Sequence, residues 1–172
     1  MKTLIAYYSK KGDNWYDSSR VTLKKGNTQV VAEKLAKLLN ADLFEIKMKE
    51  PYEEDYDRCC DEALRDQKEN KRPELMEDID ITEYDTILIG YPIYWSSCPM
   101  VILSFVRSKN FTKRNVHLFS THEGSGMGDS RYVIEKENET IQVKSCLPVI
   151  GTLCSKSDEE LHSWVKAFQA KN

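Results

Sequence analysis

The chain has 172 residues, 40% of them hydrophobic and 31% charged, with a formal net charge of −3. That is enough chain for one domain with a sizeable core, in the composition range of ordinary water-soluble globular proteins. Lysine and glutamate are interspersed, and no apolar run is long enough to cross a bilayer, so neither a nucleic-acid surface nor a membrane anchor is expected. Met1-Lys2-Thr3 leads straight into a strand pattern with no signal-peptide core or cleavage site, which predicts a cytoplasmic protein. Five cysteines at 59, 60, 98, 146 and 154 have no metal-ligand or C-x-x-C rhythm, and the histidines at 117, 122 and 162 are scattered. Reduced thiols and no structural metal are the expectation.

The first element is Thr3-Leu-Ile-Ala-Tyr-Tyr-Ser9, a short apolar strand that delivers a hydroxyl into a loop. Residues 10–25 show no sustained period. A stretch of that length without structure of its own is uncommon unless functional or mobile, and Trp15, Tyr16, Val21 and Leu23 give it apolar surface to bury, so a packed flap is predicted. Gly26-Asn27-Thr28 then opens a helix with Val30, Val31, Leu35, Leu38 and Leu39 on one face, capped by Asn27 or Thr28 and stopped at Asn40.

Asp42–Met48 alternates at period two and reads as a half-buried strand ended by Pro51. Residues 53–70 form a highly charged helix with a thin apolar face, Tyr56, Cys59, Cys60, Ala63 and Leu64, and Lys71-Arg72-Pro73 breaks it. Asp85–Pro92 is almost wholly apolar, as a strand buried on both faces must be. After the loop Ile93–Ser97, a helix begins at Cys98-Pro99 and buries Val101, Ile102, Phe105 and Val106. A fourth strand, Asn115–Thr121, runs into the glycine-rich His122–Gly128. A short helix over 130–138, a last strand around 147–151 and a closing helix complete the chain. Ser157–Glu160 offers that helix a capping box, and Leu161, Trp164, Val165 and Phe168 face inward. Alternating strands and helices predict a three-layer α/β/α sandwich around a parallel sheet.

Ligands of such sheets bind beyond the carboxyl ends of the strands. Three strand ends stand out: Ser9 with Gly26, Asn27 and Thr28; Pro92, Ile93, Tyr94 and Trp95; and Thr121, His122, Glu123 and Gly124. The first abuts a helix N-terminus, whose unpaired amides and partial positive charge suit a phosphate, and the second is an apolar, aromatic platform. Competing readings are weaker: Gly124, Gly126 and Gly128 are spaced G-x-G-x-G after the fourth strand, not as a dinucleotide fingerprint. Ser104 stands where a phosphatase loop starting at Cys98 would need arginine, and the first strand ends without the acidic residues of a phosphoacceptor domain.

Ala6-Tyr-Tyr-Ser9, Gly26-Asn-Thr28, Gly90-Tyr-Pro-Ile-Tyr-Trp95 and Ser120-Thr-His-Glu-Gly-Ser-Gly126, in that order, resemble the flavodoxin family over nearly the whole chain. The resemblance implies a flavodoxin-like fold, a single domain over 1–172 with a five-stranded sheet of order 2-1-3-4-5, and bound FMN. By the same likeness Ser9, Asn27 and Thr28, with Gly26 at the helix start, hold the phosphate, and residues 92–95 and 121–124 flank the isoalloxazine. No residue need act as acid or base. The implied function is electron transfer with redox partner proteins or an NAD(P)H-linked reductase, in a monomer or weak dimer. An FMN-dependent NAD(P)H:quinone oxidoreductase, with Trp15 and Tyr16 shaping a substrate pocket, is the alternative, and a flavin-free binding domain that keeps the fold is a third. Where relatives run from the strand's serine almost directly into Gly-Asn-Thr, Lys10 to Lys25 intervene here, leaving Lys10, Lys11 and Gly12 open as ligands.

Overall fold

The structure is a computed structural model that describes residues 2–16 and 18–169. Its elements are β1 Thr3–Tyr7, β2 Gly12–Tyr16, β3 Ser19–Leu23, α1 Asn27–Leu39, β4 Asp42–Glu45, α2 Tyr56–Lys68, β5 Thr86–Pro92, α3 Met100–Arg107, β6 Asn115–His122, α4 Ser130–Glu137, β7 Val143–Ile150, a 3₁₀ helix Gly151–Lys156, and α5 Asp158–Gln169. Five strands form one parallel sheet in the order β4-β1-β5-β6-β7, which is 2-1-3-4-5 once the hairpin β2–β3 is set aside.

Successive side chains of a strand point to opposite faces, and β1 shows how that builds two cores. Leu4 and Ala6 join Ile87, Ile89 and Tyr91 of β5 under Val101, Ile102, Phe105 and Val106 of α3. Ile5 and Tyr7 join Leu88, Phe119 and Val149 under Val31 and Leu35 of α1 and Leu161 and Val165 of α5. Val31 and Leu35 are fully buried, and each such side chain contributes about 1.5–3 kcal/mol of apolar transfer free energy. Because both faces are covered, β5 can be apolar throughout.

The helix ends depart from expectation in informative ways. Neither Asn27 nor Thr28 caps α1; Gly26 holds the N-cap position without a side-chain bond. Its third residue, Gln29, donates its amide to the Ser9 hydroxyl at 3.1 Å, so the cap comes from the end of β1. Asn40 ends α1 in the left-handed region (φ +49°). At α5 the predicted capping box is replaced by a backward link, in which Ser157 Oγ donates to the Cys154 carbonyl at 2.8 Å and ties the helix to the 3₁₀ segment before it. Leu161 and Val165 are buried and Trp164 partly so, whereas the Phe168 side chain lies outside what the structure describes.

Residues 10–25 are not a flap of irregular chain. They make the antiparallel hairpin β2–β3, in register from Gly12 opposite Leu23 to Tyr16 opposite Ser19. Two-residue periodicity is hard to see there because Trp15 is 46% exposed and no strand of the hairpin has a fully buried face.

Candidate functional site

A cavity of about 720 Å³ opens at the carboxyl ends of β1, β5 and β6. Its walls carry Asn27 and Thr28 from the start of α1, Pro92 to Trp95 after β5, and Thr121, His122 and Glu123 at the end of β6. The three strand ends singled out by sequence therefore converge on one space. Ser9, Gly26 and Gly124 do not line it; they build its frame.

Gly26 explains how β1 and α1 stay joined across the hairpin. A Cβ at Gly26 would lie 2.2 Å from Ser9 Oγ and 2.4 Å from the Lys10 carbonyl oxygen. The chain thus leaves at Lys10, runs out and back through β2–β3, and returns into van der Waals contact with its point of departure. Only glycine permits that approach, and the approach lets Ser9 reach the Gln29 amide.

Beneath this junction Thr28 and Thr121, both buried, share a hydroxyl–hydroxyl hydrogen bond of 2.7 Å that ties α1 to β6. Whichever hydroxyl donates, the other keeps its own proton, so Thr28 ties the frame together while still lining the cavity. Asn27 lines the cavity and its Oδ1 accepts from Cys154 Sγ at 3.5 Å.

Glu123 is held away from a free loop position. Its carboxylate accepts from the Thr152 amide at 2.9 Å and the Thr152 hydroxyl at 3.2 Å. A Cβ at Gly151 would sit 2.5 Å from Glu123 Oε1 and 2.6 Å from Asn27 Nδ2, so these two polar ends meet over Gly151, beside the start of α1. His122 Nδ1 accepts the Gly124 amide at 2.9 Å, so a neutral ring carries its proton on Nε2 and offers a donor there. Burial, partly offset by Glu123 and Glu160, holds its pKa below the usual histidine value and favours that neutral form at pH 7.

The loop after β5 is a tight turn in which Tyr94 and Ser97 exchange backbone hydrogen bonds (2.9 and 3.0 Å) with Trp95 and Ser96 between them at φ +48° and +61°. That is the pattern of a type I′ turn, unusual for a residue as bulky as tryptophan, and such strain concentrates at functional sites. It separates the two aromatics. Tyr94 turns inward with its ring edge-on to Tyr8 at 6.2 Å, and burial, then Tyr8 and Cys59, push its hydroxyl pKa well up. Trp95 stays half exposed, and its indole N–H donates to the Cys60 carbonyl of α2 at 2.9 Å.

Further walls come from outside the three strand ends, and of these only Trp15 was anticipated, as part of a substrate pocket. Helix α2, read as a solvated surface helix, contributes Tyr56, Asp57, Cys59, Cys60 and Asp61 to the cavity, and the hairpin contributes Asn14 and Trp15. Burial raises the pKa of the Cys59 and Cys60 thiols, so neither is an activated nucleophile. Lys10 is the only Lys or Arg among the described lining residues, and its Nζ donates to the Glu54 carbonyl at 2.9 Å.

Together, the doubly covered parallel sheet and a cavity at its carboxyl edge, with an open helix start on one side and aromatic walls on the other, define a doubly wound α/β protein with a ligand-sized cavity at its strand ends. The flavodoxin family profile matches residues 2–168, and the chain belongs to that family. Among solved structures it is similar to a protein of Bacteroides eggerthii assigned as a flavoprotein (26% identity, 96% of each chain, TM-score 0.75). A counterpart from Bacteroides uniformis has the same identity and TM-score, with 96% of this chain and 97% of that one covered. A flavoprotein of Lactobacillus acidophilus in complex with FMN shares the fold at 23% identity, over 94% of this chain and 98% of that one, with a TM-score of 0.68. No curated protein matches.

Proposed function

We propose that the chain binds FMN in this cavity and serves as an electron-transfer flavoprotein. One observation carries the reading: a single cavity joins the amide-bearing start of α1 at Asn27 and Thr28 to the Pro92–Trp95 and Thr121–Glu123 segments, pairing an anion-friendly end with an apolar and aromatic one. The family membership and the FMN complex of the Lactobacillus acidophilus flavoprotein point the same way. The residues fit the cofactor. The backbone amides of Asn27 and Thr28 would hold the phosphate at the positive end of α1, with Ser9 and Gly26 fixing the helix start. Pro92, Ile93 and Trp95 would take the apolar ring, and the Nε2–H of His122 would meet a polar edge.

When bound, FMN supplies the redox chemistry, and the protein contributes binding, orientation and electrostatics. Electrons would come from a redox partner protein or an NAD(P)H-linked reductase. Adding FMN to the purified apo-protein should produce a flavin spectrum with quenched fluorescence at one equivalent. A preparation that neither carries nor takes up flavin ends the proposal, and leaves a fold retained for another use. A second reading, an oxidoreductase that turns over a small substrate, is favoured by the hairpin and α2 walls that enclose the cavity on the side away from the sheet. Steady-state NAD(P)H oxidation with a quinone separates it from a pure carrier.

A further inference from the structure

The turn after β5 holds Trp95 and Ser96 at φ +48° and +61°, a conformation unfavourable for residues that carry a Cβ. Tethers from outside the turn oppose that cost. On one side the Asp129 amide, just before α4, donates to the Ser96 carbonyl at 2.9 Å. On the other, the Cys60 carbonyl of α2 accepts the Trp95 indole N–H at 2.9 Å, and Gln67 Nε2 of the same helix donates to the Trp95 carbonyl at 3.4 Å. The turn is clamped between two helices.

The α4 side of this clamp depends on a glycine. A Cβ at Gly128 would lie 1.9 Å from the Ser96 carbonyl oxygen and 2.6 Å from its carbon, so the turn fills the space a side chain would need. Gly126 has a similar φ (+63° against +52° at Gly128), yet a Cβ there would meet nothing within 4 Å. Backbone conformation favours glycine at both positions, whereas close approach demands it at 128 alone. The segment that carries Gly128 is itself anchored to the sheet: the fully buried Tyr91 of β5 donates its hydroxyl to Ser130 Oγ at 2.9 Å, and Ser130 Oγ donates to the Met127 carbonyl. We propose that Gly128 is a positioning residue for the cofactor: by admitting the Ser96 carbonyl it seats the Trp95 turn on the anchored start of α4 and so fixes the indole against the isoalloxazine.

The inference rests on the FMN reading, because the flavin ring is what the Trp95 turn would support. Trp95 lines the cavity and Gly128 does not, so Gly128 acts through the turn. The contacts run from Tyr91 through Ser130 to Gly128, Ser96 and Trp95, and they reach the cavity at its aromatic end, whereas Asn27 and Thr28 of α1 form the other. FMN and riboflavin share the ring and differ by the phosphate. A displaced turn should therefore weaken both by the same factor.

The test compares Gly128→Ala with Gly126→Ala, which imposes a similar backbone strain without the collision. In fluorescence titrations Gly128→Ala should weaken FMN and riboflavin alike, by about tenfold, and leave the bound flavin about threefold brighter than in the wild type as the indole leaves the ring. Gly126→Ala should match the wild type within about twofold for both ligands. A second readout needs no flavin: the buried Ser97 amide, which donates to the Tyr94 carbonyl, should exchange with deuterium at least about tenfold faster in Gly128→Ala than in Gly126→Ala. Where Gly128→Ala does not fold, the double variant with Ser96→Gly, whose freer backbone lets the carbonyl swing aside, carries the same measurements. Unchanged flavin affinity and brightness in Gly128→Ala, a loss confined to FMN, an equal loss in Gly126→Ala, or unchanged exchange at Ser97 overturns the positioning role and leaves the cofactor reading intact. Failure of the wild type to take up flavin overturns both.

Discussion

The two connections that border the cavity from β1 and from β5 do the same work by opposite means. Residues 8–26 carry the chain from β1 to α1 through a detour, yet Gly26 returns to contact Ser9 and Lys10, so the junction is as compact as if nothing had been inserted. Residues 93–99 carry it from β5 to α3 with no insertion, but fold into a turn that holds Trp95 and Ser96 in the left-handed region. The first connection keeps its floor relaxed and exports variation to the β2–β3 hairpin. The second keeps its length short and stores strain in the site itself. Insertions are tolerated where their ends already touch, because closing a longer loop adds little entropy cost once its base is fixed.

The largest effect expected from breaking this comparison is at the contact that closes the first connection. Gly26→Val would force a side chain into Ser9 Oγ and backbone atoms of Lys10, displacing the start of α1, and should weaken FMN binding by about a hundredfold or more in a fluorescence titration. Thr28→Val keeps the shape but leaves the buried Thr121 hydroxyl without this partner. A loss of about 1–2 kcal/mol in chemical denaturation is expected. For the second connection, Ser96→Gly relieves a left-handed φ of +61° at an exposed position, and should raise stability by about 1 kcal/mol.

Glu123→Gln tests which end of the cofactor faces that carboxylate. Its position beside Asn27 predicts that the variant binds FMN about three- to fivefold more tightly while riboflavin, which has no phosphate, is unaffected. An unchanged FMN-to-riboflavin ratio with a shifted reduction potential would instead place Glu123 at the ring. The smallest effect concerns the hairpin. Replacing residues 12–23 by a short Gly-Ser link should leave FMN affinity within about threefold, because Ser9, Lys10 and Gly26 stay in place. Loss of folding or of flavin would show that the hairpin belongs to the frame.

Much of the fold was legible because periodicity reports burial directly. The apolar run of β5, the helical face of α1 and the stop at Asn40 each reflect a local constraint visible in a few adjacent residues. Convergence of the strand-end segments was legible too, since a parallel sheet sends every strand's carboxyl end to the same side. The walls from α2 were not, and the hairpin was legible only through Trp15, as apolar surface that could shape a pocket. Tyr56 shows in sequence as part of a thin apolar helix face, and what it and Trp15 face is set by Asp13, Arg20 and Tyr16 fastening elements distant in sequence.

The sequence alone thus determined the alternation of elements, the two-faced burial of the sheet and the residues that gather at its carboxyl edge, because each follows from local sterics and from hiding apolar surface. Only the tertiary structure decided that Ser9 caps α1 from a distance, that Thr28 bonds to Thr121, that Glu123 lies beside Asn27 and that the β2–β3 hairpin is tied down to Thr152. Those are pairings between groups remote in the chain. A hydrogen bond or a close glycine contact exists only once the backbone has brought its two partners within about 3 Å, and no local pattern encodes which two those will be.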